Sequence, residues 1–598
     1  SAFVPTSASG RQTRSTHVGA GPASTLSEQS GPQVALMRSW RILLEAIAQQ
    51  QPLILIIDDL QWADEALLDL LEYLTERMAD VPVLFLCPAR PDFFERRRDW
   101  GGGRRNFTTI ALDSLSPEET RELVNALLTT TDLPEVLYQT ISARAEGNPF
   151  FVEEIVRMLI DQGVLVNEKG CWRVRMRNET LLSELANPAA LPGDTLIDQH
   201  YILPLRIPDT IQGVLAARID LLSPIEKQVI QHAAIIGRTF WLSCLLDLAS
   251  NLDTATVLTI IDALIQHEFI GESEKQGRSP VENDRIFSFK HVLTRDVVYN
   301  NIPRMRRSQE HARVALWIEE HATGHLELFA ELLAYHYQQA LANWSSPLLP
   351  HLGFPGADGT PDNETDTSAQ PVQLTRPELR QRTITYLSMA GDQALHSYYT
   401  IRAIQAYSEA LELLIESNAD ALSLAQMHIK LGDAYSQRFN GDDAWQQYSR
   451  ALALLKPTQE AEQTAPPAPR DILLCLYDRL AELPTRWLGT FNNLPDFEEV
   501  RTYIDAGLQL LEGEAISRNH VAFLTYQAIW YMRQIEWKIA TVPERAALAE
   551  QALTSGKEAL RIAEELNDTY SIWIALDALS SIYEEHRMYL DAHKVQHQ

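Results

Sequence analysis

The tightest constraint on the fold is a repeated spacing of small and aromatic residues in the C-terminal half. Ala390-Gly391 is followed by Ala394, Ala403, Tyr407 and Ala410. Leu431-Gly432 is followed, at the same offsets, by Tyr435, Ala444, Tyr448 and Ala451, and Pro457 closes the second unit. Small residues at these places let paired helices approach closely, and the aromatics fill the gap between them. A partial third copy reads Leu579, Tyr583 and Ala592. Such units bury their apolar faces only against neighbours, so a stacked helical array is expected over 321–598. Polar, proline-bearing insertions at 345–376 and 457–470 are expected to be disordered. The chain starts without Met and stops inside the third copy, so it reads as a piece of a longer polypeptide.

The N-terminal part has a different pattern. Residues 1–33 are rich in Ser, Gly, Thr and Pro and read as disordered. Leu36, Met37, Trp40, Leu43, Leu44 and Ile47 then recur at helical spacing. The run from Leu53 to Ile57 is continuously apolar, as expected for a strand buried on both faces of a parallel sheet. Asp64 suits the N-cap of a helix carrying Leu67, Leu68, Leu71 and Leu74. Further strands are expected at Val83–Cys87 and Thr108–Leu112, giving a right-handed α/β crossover over 34–115.

Ser116-Pro117-Glu118-Glu119 is a capping box that opens a helical region over 116–168, whose last helix ends at Gly163. A linker is expected over 169–204. A second capping box, Ser223-Pro224-Ile225-Glu226, begins a helix, and two more follow near 241–249 and 253–267. Apolar pairs at Phe269-Ile270 and Ile286–Phe289 suggest a hairpin. Three helices and a hairpin outline a winged helix over 205–320.

Composition narrows the function. With 80 acidic against 51 basic residues, the net charge of −29 repels nucleic acid. Only a local patch such as Arg304, Arg306 and Arg307 would oppose that. There is no apolar run of about 18 residues, so no membrane partner is expected. The four cysteines form no C-x-x-C pair, which disfavours zinc and suits a reducing cytoplasm. His267-Glu268 lacks a second metal-binding histidine, since Gly271 stands in its place.

The segment LILIIDDLQWAD, residues 53–64, carries the chemistry. A strand that delivers two acids at its end can hold the shell of a Mg2+ ion with one and polarise an attacking water with the other. Asp58 suits the first role, as metal ligand, and Asp59 the second, as catalytic residue. The same acids would also suit a helix cap or a solvent-facing strand end.

LILIIDDLQWADEALLDLLEYL resembles the Walker B segment of STAND-class signalling ATPases, which occur in bacterial transcriptional activators, in multidomain class III cyclases and beside some kinase domains. Later segments resemble that family in the same order. FLCPARPDF is similar to its sensor 1 strand, which implies γ-phosphate sensing by Arg90. ARAEGNPFFVEEIVRML is similar to its GxP segment, which implies adenine contact near Asn148 and Pro149. LPLRIPDTIQGVLAARIDLLSPIEKQVIQHAAIIG and FSFKHVLTRDVVY are similar to the two ends of its winged helix, and His291 stands where related proteins touch ADP. Each residue has a plainer alternative: Arg90 a surface arginine, Pro149 a helix start, His291 a half-buried histidine at a hairpin end. Trp62 is expected to pack. The C-terminal units resemble tetratricopeptide repeats.

One departure is serious. No G-x-x-x-x-G-K-[ST] occurs, and Ser555-Gly556-Lys557-Glu558 sits in a helical stretch with no strand before it. The β- and γ-phosphates would lose their main cradle. In the resembled family the missing strand lies between the sensor 1 strand and the last strand, so a gap is expected in the sheet.

The expected fold class is mainly α, with a partial α/β P-loop NTPase core, a helical lid, a winged helix and an α-solenoid. The resemblance implies ATP/ADP and Mg2+ as cofactors of the complete protein, and an output domain such as a cyclase or kinase elsewhere. It also implies a protein or peptide partner, or a small-molecule inducer, at the repeats. This chain alone is expected to be inert in hydrolysis. A non-enzymatic repeat scaffold and a winged-helix DNA-binding regulator are the alternatives.

Overall fold

Strand β1 (Leu53–Ile56) pairs in parallel with β2 (Val83–Leu86), Leu53 opposite Val83 and Ile56 opposite Leu86. These strands belong to a computed structural model that describes residues 32–63, 65–78, 81–102, 106–129, 133–168, 171–174, 207–273, 278–344, 374–455, 469–537 and 542–585. The chain divides into two units, 1–111 and 112–598. The expected disorder over 1–33, the Asp64 cap, the linker, both insertions and Ala592 lie wholly or mainly outside the described residues.

In the first unit, helices α1 (Pro32–Ala48) and α2 (Glu65–Arg77) accompany the two strands. Leu44, Leu74 and Met78 pack on Leu53, Leu55, Val83 and Phe85, covering one face of the sheet. The expectation of a strand buried on both faces is corrected here. Ile54, Ile56, Leu84 and Leu86 remain 62%, 66%, 56% and 49% exposed, because helices among the described residues cover one face only. The expected strand at Thr108–Leu112 is also corrected, since that segment is irregular and Ile110 is 77% exposed. A parallel strand needs an adjacent strand edge to satisfy its backbone, and among the described residues it pairs with neither β1 nor β2. A short helix, α3 (Asp92–Arg96), follows β2.

The second unit opens with α4 (Pro117–Leu128), α5 (Glu135–Ala145) and α6 (Pro149–Asp161), then a hairpin of β3 (Leu165–Glu168) and β4 (Cys171–Val174). Both capping boxes form, at Ser116/Glu119 and Ser223/Glu226. Next come α7 (Ile211–Asp220), α8 (Pro224–Ile236), β5 (Thr239–Trp241), α9 (Leu242–Leu248) and α10 (Thr254–Gln266). Strands β6 (Ile270–Glu272) and β7 (Ile286–Phe289) complete an antiparallel sheet of order β5-β7-β6. The three helices and the hairpin lie where the sequence placed them, and β5 is an addition. Helices α11 (Val292–Asn300), α12 (Arg304–His321) and α13 (Ala330–Ala342) lead out of this region.

The remainder is helical repeats, stacked from α14 (Arg376–His396), α15 (Thr400–Glu416), α16 (Ala421–Gln437) and α17 (Gly441–Leu455) onward. They continue through α18 (Arg470–Arg486), α19 (Phe497–Leu511), α20 (Arg518–Trp537), α21 (Val542–Glu565) and α22 (Thr569–Glu585). The spacing noted in the sequence has a direct cause. A Cβ on Gly391 would lie 2.4 Å from the Tyr407 ring, and one on Gly432 2.4 Å from the Tyr448 ring. Each tyrosine hydroxyl then donates to the next aspartate, Tyr407 to Asp392 and Tyr448 to Asp433, both at 2.7 Å. The following repeat adds a cation to each acid: Lys430 Nζ donates to Asp392 at 2.6 Å and Arg479 Nε to Asp433 at 3.0 Å. One core runs without a break from Ile219 to Ala434, joining the mixed region to the first repeats.

Inside that core two histidines meet. His311 and His336 approach through their Nδ1 atoms at 2.8 Å, and Tyr299 Oη lies 2.9 Å from His311 Nε2. Burial lowers both histidines, His336 to about 3.

Two outcomes follow. Gly432→Ala should destabilise the repeats by about 1–2 kcal/mol, because overpacking against a fixed ring outweighs the gain in helix propensity. Thermal unfolding followed by circular dichroism checks this, and an unchanged midpoint would contradict the contact. Acid should also weaken the fold. The unfolded chain protonates His336 near its ordinary value of 6.5, whereas the folded chain resists until about pH 3. The stability from the neutral His336 is therefore fully present above pH 6.5 and lost as pH falls through that window. His336→Gln should flatten the dependence of the melting temperature on pH between 7 and 5.

Candidate functional site

In the first unit, the candidate residues gather where β1 and β2 end. Asp58 follows β1 and is exposed; Asp59 is half-buried. Asp59 adopts the left-handed conformation, φ 56° and ψ 45°, before a 3-10 turn at Leu60–Trp62. Aspartate tolerates that conformation better than most residues. The Asp59 amide donates to Asp58 Oδ1 at 3.0 Å.

Gln61, 9% exposed, ties the two strand ends together. Its amide donates to Asp59 Oδ1 at 2.8 Å, and its carbonyl accepts the Arg90 backbone N–H at 3.1 Å. Asp58, Asp59 and Arg90 are thus brought to one edge. Gln61 escaped the sequence reading, because its role depends on a partner 29 residues away. Trp62 corrects another expectation: it does not pack, being 59% exposed, and the Arg90 guanidinium lies over its ring at 5.5 Å. Arg96 and Arg97 brace the next helix, with Arg96 donating to the carbonyls of Gln61 and Ala63 and Arg97 paired with Glu65.

In the second unit, Gly147 turns the chain with φ +74°, and a Cβ there would lie 2.3 Å from the Leu115 carbonyl oxygen. Asn148 then caps α6, its side chain accepting from the Phe151 amide at 3.2 Å, and Pro149 occupies the first turn. These are the ordinary structural roles of both residues. The next residue, Phe150, places its ring 3.9 Å from that of His291. The Gly-Asn-Pro segment and His291 therefore meet, through a phenylalanine that the sequence reading passed over. Burial is the main cause that lowers the His291 pKa, so the ring is neutral at neutral pH.

Further along α6 lies an ionic network. Arg218, 2% exposed, donates to Glu154 at 2.6 Å, to Asp161 at 2.8 Å and to the His267 carbonyl at 2.6 Å. Its guanidinium also covers Phe269 at 4.5 Å. Arg157 bridges Glu154 and Glu268, and Lys290 reaches Glu268 at 3.2 Å. The network ties α6 to α7 and to the segment around β6. Two arginines of the basic cluster noted in the sequence are partly engaged inside the protein. Arg306 donates to Gln231 at 2.8 Å, while Arg307 donates to the carbonyls of Ile302 and Asn300 and covers Tyr299.

Known proteins resemble parts of the chain. A protein-family model described as "Domain of unknown function (DUF8739)" matches residues 116–173, the α4–α6 region and the hairpin after it. The uncharacterized protein R02095 of Rhizobium meliloti (strain 1021) is 25% identical over 323 residues, covering 52% of this chain and 27% of that protein. Adenylate cyclase type 10 of Rattus norvegicus is 24% identical over 238 residues, covering 38% of this chain and 15% of the cyclase. The Homo sapiens protein of that name is 22% identical over 291 residues, covering 44% and 17%. The chain thus spans between 15% and 27% of the length of these relatives. The crystal structure of the apo form of RapI aligns over 51% of this chain and 93% of its own, at 11% identity and a TM-score of 0.22. Among the described residues, no helix is long and apolar enough to cross a membrane.

The Arg218 network yields a quantitative expectation. Arg218→Met leaves Glu154 buried without its strongest partner and should cost about 3–5 kcal/mol. A chemical-denaturation curve of the variant checks it; a loss below about 1 kcal/mol would mean that water enters and replaces the guanidinium.

Proposed function

We propose that this chain is part of a regulatory STAND-class ATPase whose nucleotide state is read through its helical repeats. The observation that carries this reading is the Gln61 bridge, which holds Asp59 and the start of the Arg90 segment at the ends of two parallel strands. Ligands of α/β proteins bind at such strand ends. In this reading Asp58 holds the Mg2+ shell, Asp59 orients the attacking water and Arg90 reads the γ-phosphate. Asn148, Pro149 and His291 are further nucleotide contacts, and the meeting of Phe150 with His291 supports placing them in one site. Mg2+ would supply charge neutralisation at the phosphates. The order of the family-like segments, and the adenylate cyclase name that several relatives carry, support a signalling role with a cyclase as one class of output. We assign the protein to the cytoplasm.

The residues fit Mg2+–nucleotide only in part. Two acids and an arginine suit the metal and the terminal phosphate, but the sequence has no G-x-x-x-x-G-K-[ST] loop to cradle the others. The bare face of Ile54, Ile56, Leu84 and Leu86 supports assigning the missing strand, loop and helix to polypeptide outside this chain. The region 205–320 acts in this reading as a regulatory winged helix, and the repeats take a protein or peptide partner or a small-molecule inducer. The lack of a cradle favours a second reading, a repeat scaffold with a degenerate core.

Nucleotide binding separates the two. The chain alone should bind Mg-ATP no more tightly than about 1 mM by calorimetry; a tight, Mg2+-dependent site would overturn our account of the missing loop. Supplying a strand–loop–helix segment that carries G-x-x-x-x-G-K-[ST] should produce hydrolysis. Asp59→Asn should then lower turnover about a hundredfold, with no loss of folding, since asparagine tolerates the left-handed conformation. Persistent absence of binding would favour the scaffold.

A further inference from the structure

A cleft of about 670 Å³ opens where α8, the end of α9 and α12 converge, and no residue assigned to nucleotide is among those that line it. Its volume falls in the range of small-molecule sites. Lys227, Arg306 and Arg313 line it, with Glu310 as the single carboxylate among the lining residues. In a chain of net charge −29 this is a local reversal of sign.

The cations are held in place. Glu310 lies 3.7 Å from Arg306 and 3.9 Å from Arg313, and its other contact is the buried His232 at 3.2 Å. Burial pushes the Glu310 carboxyl up, but the His232 hydrogen bond and the two arginines more than offset this and hold it below its ordinary value. Glu310 therefore stays ionised and fixes both guanidinium groups. Arg313 is also braced by donating to the Asp247 carbonyl at 2.8 Å, and Lys227 by donating to the Asp220 carbonyl at 2.9 Å. The side chains of Asp220 and Asp247 lie 3.7 Å from those cations but are 78% and 51% exposed, so water screens them. Each guanidinium has five N–H donors and uses one or two of them in these contacts. Gln228 and Asn251, bonded to each other at 3.2 Å, add amide groups suited to hydroxyls.

We propose that this cleft is an effector site for a small phosphate monoester of a polyol. Lys227, Arg306 and Arg313 receive the phosphate, in the forked geometry that guanidinium groups offer to such anions. Gln228 and Asn251 receive the hydroxyls. Bound ligand ties α8 to α12, and α12 belongs to the core that continues into the first repeats.

Isothermal calorimetry on the 598-residue chain tests this, with glucose 6-phosphate as probe and glucose and a short DNA duplex as controls. Glucose 6-phosphate should bind, and glucose should not. Arg306→Gln should weaken binding at least tenfold, and Lys227→Gln, which removes a point charge rather than a forked set of donors, several-fold with an unchanged melting temperature. The proposal falls if glucose 6-phosphate gives no binding, if Lys227→Gln and Arg306→Gln both bind it as the parent does, or if the duplex binds and the monoester does not.

Discussion

Close approach of paired helices at Gly391 and Gly432 is the constraint on which the C-terminal half depends. With no Cβ at either position, a tyrosine ring fits against the facing backbone. That contact also places each hydroxyl on an aspartate one residue later, at 2.7 Å. The aspartate, once oriented, presents its other lone pairs to a cation from the next repeat. Packing within a repeat and pairing between repeats are thus linked through one side chain. Asp392 and Lys430 are 42% and 35% exposed, so the Coulomb part of that pair is small. Its larger effect is on register, because a displaced neighbour would lose the bond.

The features legible in the sequence are those set by local geometry. Both capping boxes, the pairing strands β1 and β2, the three helices and hairpin of the 205–320 region and the Gly–Tyr units all follow from periodicity or a short motif. The later repeats were harder to read, because the ring in the close contact changes there from tyrosine to phenylalanine. Gly507 on α19 receives Phe523 of α20 in the same order and at the same offset as the first two contacts, and a Cβ there would lie 2.2 Å from the ring. A search for glycine followed by tyrosine does not find this. The strand expected at Thr108–Leu112 failed although its apolar alternation is real: a strand's backbone is satisfied only by a paired neighbour, and among the described residues this segment has none.

The candidate site divides in the same way. Asp58, Asp59 and Arg90 were found because acids after a buried strand are visible in the sequence. Gln61 and Phe150 were not, since their meaning comes from partners 29 and 141 residues away, Arg90 and His291. Asn148 and Pro149 show why a motif alone is ambiguous. The structure gives both a full local role as cap and first-turn residue of α6, so any ligand role is additional.

Helix α6 is where these threads meet. Its first turn carries Phe150, packed at a tilt against His291, and its later turns carry Glu154 and Asp161, which share the buried Arg218. The helix is therefore held at both ends by the segments around β6 and β7. Buried ion pairs of this kind add little net stability over an apolar core, because desolvation offsets most of the attraction. They do penalise alternative alignments heavily, since any shift strands a charge. A helix fixed in this way moves as a body with the region that follows it. The continuous core from Ile219 to Ala434 joins that region to the first repeats.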